Sequence, residues 1–293
     1  MTKILYDRDG LINQYKVFIF DLWGVLHNGQ EPFVTTIECL KSLKVQNKPA
    51  FLLSNSPRLI EPTVQRLEKM GIDKNLYQGI YTSGWDCHLN LRDRTEPFYQ
   101  ILGETLYHMG PYTYEPIFKT LDYKPISNPE QADFILISGA VEGMETLDDY
   151  TPFLHKGLER NLPLICANAD KQAIFGKEPV LCAGLMAEYY HNQGGNVYIH
   201  GKPSPVGYQR IHQMAETTLR QEFSKSEILM IGDSLATDIK GANTYGIDSL
   251  MLLTGVHGAE LQPWWNNPLD FEKKLKYLTQ VYQSQPTYVM EHL

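Results

Sequence analysis

Short apolar runs that end in polar residues alternate along this chain with stretches of amphipathic spacing. The first run, Lys16-Val-Phe-Ile-Phe20, gives way to Asp21 and then Gly24. Residues 50–53 end in Ser54-Asn55-Ser56-Pro57, and residues 77–82 have the composition of a third strand. Uninterrupted apolar runs of this length suit strands buried on both faces, as in a parallel sheet. Residues 35–44 and 62–70 are spaced as helices, the second stopped by Gly71. The alternation returns later in the chain. Residues 197–200 lead into Gly201-Lys202-Pro203 and a helix from about 205 to 216; residues 228–231 lead into Gly232-Asp233 and a helix from about 237 to 245; residues 249–253 form a last strand before Gly255. Strands alternating with helices predict an α/β fold with a doubly wound parallel sheet. In such sheets ligands bind outside the carboxyl ends of the strands. Four of the predicted strands end in residues suited to that place: Asp21, Ser54, Lys202 and Asp233.

Between the two halves lies a second α/β segment, with strands at 132–141 and 162–167 and a helix at 149–160. It predicts an inserted domain over residues 85–195, which leaves 1–84 and 196–293 as the two parts of the core. The tail from about Gly258 carries Trp264-Trp265 and a helical stretch at 271–282, expected to pack against the core.

Composition narrows the function classes. The chain has 293 residues, 43% hydrophobic and 20% charged, enough for two globular domains. A net charge of −8, with lysine and arginine dispersed, argues against nucleic-acid or membrane-surface binding. No stretch approaches the length of a membrane span, and the first ten residues lack the apolar core of a signal peptide. The four cysteines, Cys39, Cys87, Cys166 and Cys182, show no metal spacing and read as free thiols of a reducing compartment. A cytoplasmic protein is the expectation.

The polar strand ends carry the chemistry. Phe20-Asp21-Leu22-Trp23-Gly24-Val25-Leu26, Leu53-Ser54-Asn55-Ser56, Gly201-Lys202-Pro203-Ser204-Pro205 and Gly232-Asp233-Ser234-Leu235-Ala236-Thr237-Asp238 resemble, in order, the four motifs of the haloacid dehalogenase superfamily. Gly201–Pro205 and the long insertion, with Ala183-Gly184 and Asn168-Ala169-Asp170, are similar to its class IIA branch of nucleotide, pyridoxal phosphate and p-nitrophenyl phosphate phosphatases. The resemblance implies a Rossmann-like core with an α/β cap, and a Mg²⁺-dependent hydrolase that forms an aspartyl-phosphate. It implies Asp21 as nucleophile, assisted by Ser54 and Lys202. Leu22, Trp23, Ser54, Asn55 and Lys202 become the phosphate-binding set. Asp21, Asp233 and the Trp23 carbonyl become Mg²⁺ ligands, with Asp238 as a further ligand or a support behind them. The physical logic agrees: a carboxylate nucleophile splits one displacement into two, fixed positive groups stabilise the transferred phosphoryl, and a hard cation bridges the two anions.

One position departs from the family. Its phosphatases carry a second Asp two residues after the nucleophile, which protonates the leaving oxygen. Here that residue is Trp23, whose indole only donates. Three readings follow: a phosphohydrolase whose acid comes from elsewhere (His27 nearby, or His88 or Asp170 on the insertion), a dehalogenase-like hydrolase attacking carbon, or a catalytically weak phosphate-binding protein. The cap is expected to choose the substrate, a small phosphorylated metabolite. Asn168-Ala169-Asp170-Lys171-Gln172 either faces the active site or is a plain turn. Dimerisation is common in the branch, so a homodimer is a further expectation.

Overall fold

The computed structural model describes residues 2–141, 145–176 and 178–293. In chain order, β1 (Lys3–Ile4), β2 (Val17–Phe20), β3 (Ala50–Ser54) and β4 (Gly79–Thr82) come first. The insertion contributes β5 (Thr105–Met109), β6 (Lys124–Ile126), β7 (Phe134–Ile137), β8 (Leu164–Cys166), β9 (Gln172–Phe175), β10 (Glu178–Leu181) and β11 (Val197–Ile199). The chain then adds β12 (Ile228–Gly232), β13 (Asp248–Leu252) and β14 (Tyr288–Met290). One sheet runs in the order β1-β14-β13-β12-β2-β3-β4, with every neighbouring pair parallel. A second parallel sheet has the order β11-β8-β7-β5-β6, and β9 and β10 form a separate antiparallel hairpin.

The core sheet is buried on both faces because its central strands, β2 and β12, carry no polar side chain. Phe18, Phe20, Leu52 and Ile231 point to one face, where Cys39, Leu40 and Leu43 of the helix Val34–Val45 cover them. Val17, Ile19, Phe51, Leu53 and Met230 point to the other and meet Tyr208, Ile211 and Ala215 of the helix Pro205–Leu219. This is the period-two consequence of strand geometry applied to a run with no polar positions. Chain connections leave β2 toward β3 on one side and arrive at β12 on the other. The strand ends carrying Asp21 and Asp233 therefore lie side by side at the switch point, where a crevice opens.

One strand lies in the other sheet from that expected. Residues 197–200 read as a core strand, yet Val197, Tyr198 and Ile199 pair with Leu164, Ile165 and Cys166 at the edge of the inserted sheet. An apolar run ahead of a Gly-Lys-Pro turn looks the same whichever sheet accepts it, so sequence alone misplaced it. The second crossing between the sheets accordingly falls after Ile199, not at 195. The short strands β1, β5, β6 and β14 and the β9–β10 hairpin were not foreseen. All four cysteines are free and buried.

The tail packs as expected. In the helix Pro268–Tyr282, Phe271, Leu275 and Leu278 bury against Leu235, Ile239, Met251, Leu253 and Val289. Trp265 stacks edge-on against Phe271, while Trp264 is exposed. The fully buried Phe271 gives a direct check: Phe271→Ala should lower stability by about 3–5 kcal/mol, read as a reduced urea midpoint. A change below about 1 kcal/mol would mean that the tail is not part of the core.

Candidate active site

Four segments deliver side chains to the crevice, and each needs a particular local backbone. Asp21 leaves β2 with its amide still in the sheet, donating to Ile231 O at 2.9 Å. Two glycines make room beside it. A Cβ on Gly24, which has φ +83°, would lie 2.4 Å from Asp233 Oδ2, and one on Gly255 would lie 1.9 Å from the same atom. Asp233 is held by the Val256 amide, which donates to Oδ2 at 2.7 Å. Asp238 sits in the wide turn Leu235–Ile239, where its Oδ2 accepts from the amides of Asp233 and Ser234, both at 3.1 Å.

Lys202 enters from the turn after β11 and is 2% exposed. Its ammonium lies 2.6 Å from Asp21 Oδ1 and 2.7 Å from Asp238 Oδ1, and donates to Leu53 O at 3.2 Å. Asn55 fixes this entry. Its Oδ1 accepts from the Lys202 amide at 2.6 Å, and its Nδ2 donates to Lys202 O at 3.1 Å and to Asp170 Oδ1 at 2.8 Å. The Asn55 amide group is thus engaged in holding Lys202 and the insertion rather than turned to a phosphate, which differs from the role expected for it. Ser54 ends β3 with its Oγ accepting from the Ser56 amide at 3.1 Å, so its hydroxyl proton remains to donate. Leu22 packs its side chain in the core and takes the Leu26 amide on its carbonyl at 2.7 Å.

The electrostatics are those of an incompletely neutralised site. Single carboxylate oxygens of Asp21, Asp233 and Asp238 come within 4.8 Å of one another, and all three residues are buried. One ammonium faces them. Burial, relieved in part by Lys202, pushes the Asp21 carboxyl up to about 8. Burial and the neighbouring Asp238 and Asp21 push Asp233 well above the carboxylate range. Lys202 loses charge stability to burial, but Asp21 and Asp238 more than restore it and hold it protonated. Three converging hard oxygen donors with one counter-charge fit a divalent cation such as Mg²⁺, which relieves the repulsion the carboxylates otherwise meet by taking up protons.

Trp23 points away from acid–base chemistry altogether. Its indole N–H donates to Ile174 O of the β9–β10 hairpin at 2.8 Å, and its ring packs against Phe175 and edge-on to His27. The Arg66 guanidinium lies 6.0 Å from the ring centre and donates to Gly29 O. His27 accepts from the Gly29 amide through Nδ1, and burial, with Arg66 and Arg58 nearby, pushes its pKa down to about 4. His88 bonds Ile117 O and stacks on Trp85 in the helix Ser83–Asp93. Neither histidine lines the cavity beside the carboxylates. Asp170 is different: with Asp21, Trp23, Asp233, Gln172 and Leu181 it lines a cavity of about 820 Å³ between the two sheets. Sequence reasoning found no trace of the Trp23–Ile174 and Asn55–Asp170 bonds. They join residues 151 and 115 positions apart, and no local pattern encodes them.

Comparison with known proteins agrees with this geometry. A haloacid dehalogenase-like hydrolase family model matches residues 18–124, and a HAD-hydrolase-like model matches residues 199–293. The crystal structure of a haloacid dehalogenase-like hydrolase from Brucella suis 1330 superposes with a TM-score of 0.83 at 30% identity, covering 99% of each chain. A D-glycerol 3-phosphate phosphatase of Mycobacterium tuberculosis is 22% identical over 252 residues, which span 85% of this chain and 66% of that protein. A glycerol phosphate phosphatase from the same organism, solved in complex with magnesium, shares the fold with a TM-score of 0.61 at 19% identity, over 84% of this chain and 70% of that one. From its motifs, its two parallel sheets and a 30%-identical relative matched end to end, the chain belongs to the haloacid dehalogenase-like hydrolases, with the inserted α/β cap of their class IIA branch.

Proposed function

We propose that this protein hydrolyses a small phosphate ester through an aspartyl-phosphate on Asp21. The observation that carries the reading is the buried Asp21–Lys202–Asp238 ion-pair chain beside Asp233, at the mouth of the cavity between core and cap. Asp21 Oδ2 attacks phosphorus, while Oδ1 stays bound to Lys202. The ammonium of Lys202 and the hydroxyl of Ser54 stabilise charge on the phosphoryl oxygens, with amides of the Leu22–Trp23 segment beside them. Asp21, Asp233 and the Trp23 carbonyl would hold Mg²⁺, with Asp238 supporting from behind. Held by these residues, Mg²⁺ would supply the positive charge that lets two anions approach each other. Asp238 already braces the Asp233 amide and pairs with Lys202, so its part in this reading is to fix both.

The cap supports a small soluble substrate because it closes over the crevice. The β9–β10 hairpin is fastened to the core by Trp23 and by a backbone bond from Gly176 N to Asn28 O at 2.9 Å. Attack on carbon is less consistent with this site, since dehalogenation has no use for the two extra buried carboxylates. Among the described residues no helix is long and apolar enough to cross a membrane.

Two outcomes test this reading. Wild type should turn over p-nitrophenyl phosphate only with Mg²⁺, and Asp21→Asn should lose on the order of 10⁴-fold or more in kcat/KM. Metal-independent turnover, or activity surviving in that variant, would sink it. The second concerns stability. Asp233 has a raised folded-state pKa, so its charge destabilises the metal-free fold above the unfolded carboxylate pKa, and increasingly so as pH rises toward the folded value. Asp233→Asn should therefore raise the metal-free Tm at pH 8, by about 2–4 °C per kcal/mol relieved, with the gain shrinking toward pH 4. The variant should also lose the Tm increase that Mg²⁺ gives wild type. An unchanged Mg²⁺ response would remove Asp233 from the metal site.

A further inference from the structure

The proposed function leaves the leaving oxygen without a proton, because Trp23 occupies the place of the family's acid. An alkoxide is a poor leaving group, so hydrolysis of an ordinary phosphate ester needs a donor inside the cavity. Four carboxyl and imidazole groups other than the metal-site carboxylates come into question. His27 and His88 are engaged with backbone partners, as described. His257 also lines the cavity, but it pairs through Nδ1 with Glu260, and the charges acting on it are those of Glu260 and Asp238. Asp170 is the fourth.

We infer that Asp170, carried on the cap, is the general acid that protonates the leaving group. The inference rests on the phosphatase reading above, and it departs from the family arrangement, in which the acid belongs to the same loop as the nucleophile. Asp170 follows β8 at the carboxyl end of the cap sheet and immediately precedes the Trp23-fastened hairpin. Its amide is fixed by Asn168 Oδ1 at 2.9 Å, and its carbonyl accepts from the Gly184 amide at 2.9 Å. A Cβ on Gly184 would lie 2.2 Å from Ala169 O, so this turn closes directly onto the helix Ala183–Asn192. Asn55 Nδ2 binds Oδ1, which leaves Oδ2 to carry a proton. The same Asn55 holds both backbone polar atoms of Lys202, so the lysine and the proposed acid share a single positioning side chain.

The protonation state suits the role. Burial raises the Asp170 pKa; Lys202 and the Asn55 hydrogen bond lower it and Asp238 raises it, for a net value of about 6. Its charge also acts on Asp21 and on the Cys166 and Cys182 thiols of the cap. A carboxyl with a pKa close to neutral is matched to proton transfer at neutral pH.

The step balances. As the Asp21 oxygen bonds to phosphorus, the ester P–O bond breaks and its electron pair goes to the leaving oxygen, which takes the Asp170 proton and departs as an alcohol. The resulting Asp170 carboxylate then takes a proton from water as the water oxygen attacks phosphorus, and the P–O bond to Asp21 breaks. Trp23 acts here as a positioning residue: it fastens the hairpin next to the acid in place of supplying one.

Asp170→Asn is the test, since its amide oxygen still accepts from Asn55 but has no proton to transfer. kcat/KM would be measured with Mg²⁺ on aryl and alkyl phosphates of graded leaving-group acidity, from p-nitrophenyl phosphate to glycerol 3-phosphate. The expected result is a loss of about 10²–10⁴-fold on the alkyl ester against less than about tenfold on the nitrophenyl ester, so that dependence on leaving-group acidity steepens. A uniform loss across the series would assign Asp170 to binding or structure and overturn the inference, as would no loss. Asp21→Asn separates the two readings. If it abolishes turnover of every ester while Asp170→Asn gives a flat change, the nucleophile stands and the acid is elsewhere. If wild type turns over none of them, both readings fall.

Discussion

The ammonium of Lys202, buried between Asp21 and Asp238, is the interaction on which the rest of the site depends. An isolated lysine at this depth would lose its charge, and the carboxylates at the same depth would gain protons. Together they offset part of each other's burial, short of one more positive charge. A buried pair of this kind gives little net stability, and breaking one is costly because the remaining charge is left without a counter-charge. The surrounding architecture serves to bring the pair together. The switch point of the sheet sets Asp21 beside Asp233, a wide turn delivers Asp238, and Asn55 clamps the backbone of the lysine.

Much of this was legible in the sequence because parallel strands write themselves plainly. Runs such as Val17–Phe20 and Ile228–Gly232 carry no polar residue until they leave the sheet, so the first polar residue after each marks the crevice. Asp21, Lys202, Asp233 and Asp238 are brought together there. What stayed hidden has a common physical cause. β11 belongs to the cap sheet, and a strand's apolar pattern names its burial but not its neighbours. The side chain of Asn55 turned out to be a brace, because hydrogen bonds to the Lys202 backbone and to Asp170 depend on how two distant segments meet. Trp23 was visible as a departure, yet its purpose appears only once Ile174 is seen across the gap. Sequence supplied the chemistry of single strand ends; the contacts between core and cap required the fold.

Trp23 shows how one substitution can change what a position does without vacating it. A carboxyl there would face the substrate. An indole is large enough to cover Gly29 and reach the hairpin while still lining the cavity. A Cβ on Gly29 would meet the Trp23 ring at 2.5 Å, so the glycine and the tryptophan are matched. The loop after β2 has thereby become part of the contact between core and cap.

The placement of β11 joins the cap and the buried Lys202 into a single lever. The edge strand of the cap sheet runs without interruption into His200, Gly201 and Lys202. His200 is clamped from both sides, its Nδ1 at 2.6 Å from Asp86 Oδ2 and its Nε2 bonded to the hydroxyl of Tyr99. Asp86 and Tyr99 lie on the first crossing from core to cap, so the outgoing and returning strands of chain are tied at one knot. Gly201, at φ +104°, is the swivel between that knot and the ammonium. A tilt of the cap would thus be felt at the Lys202 ammonium, the group that the proposed function sets against the phosphoryl oxygens.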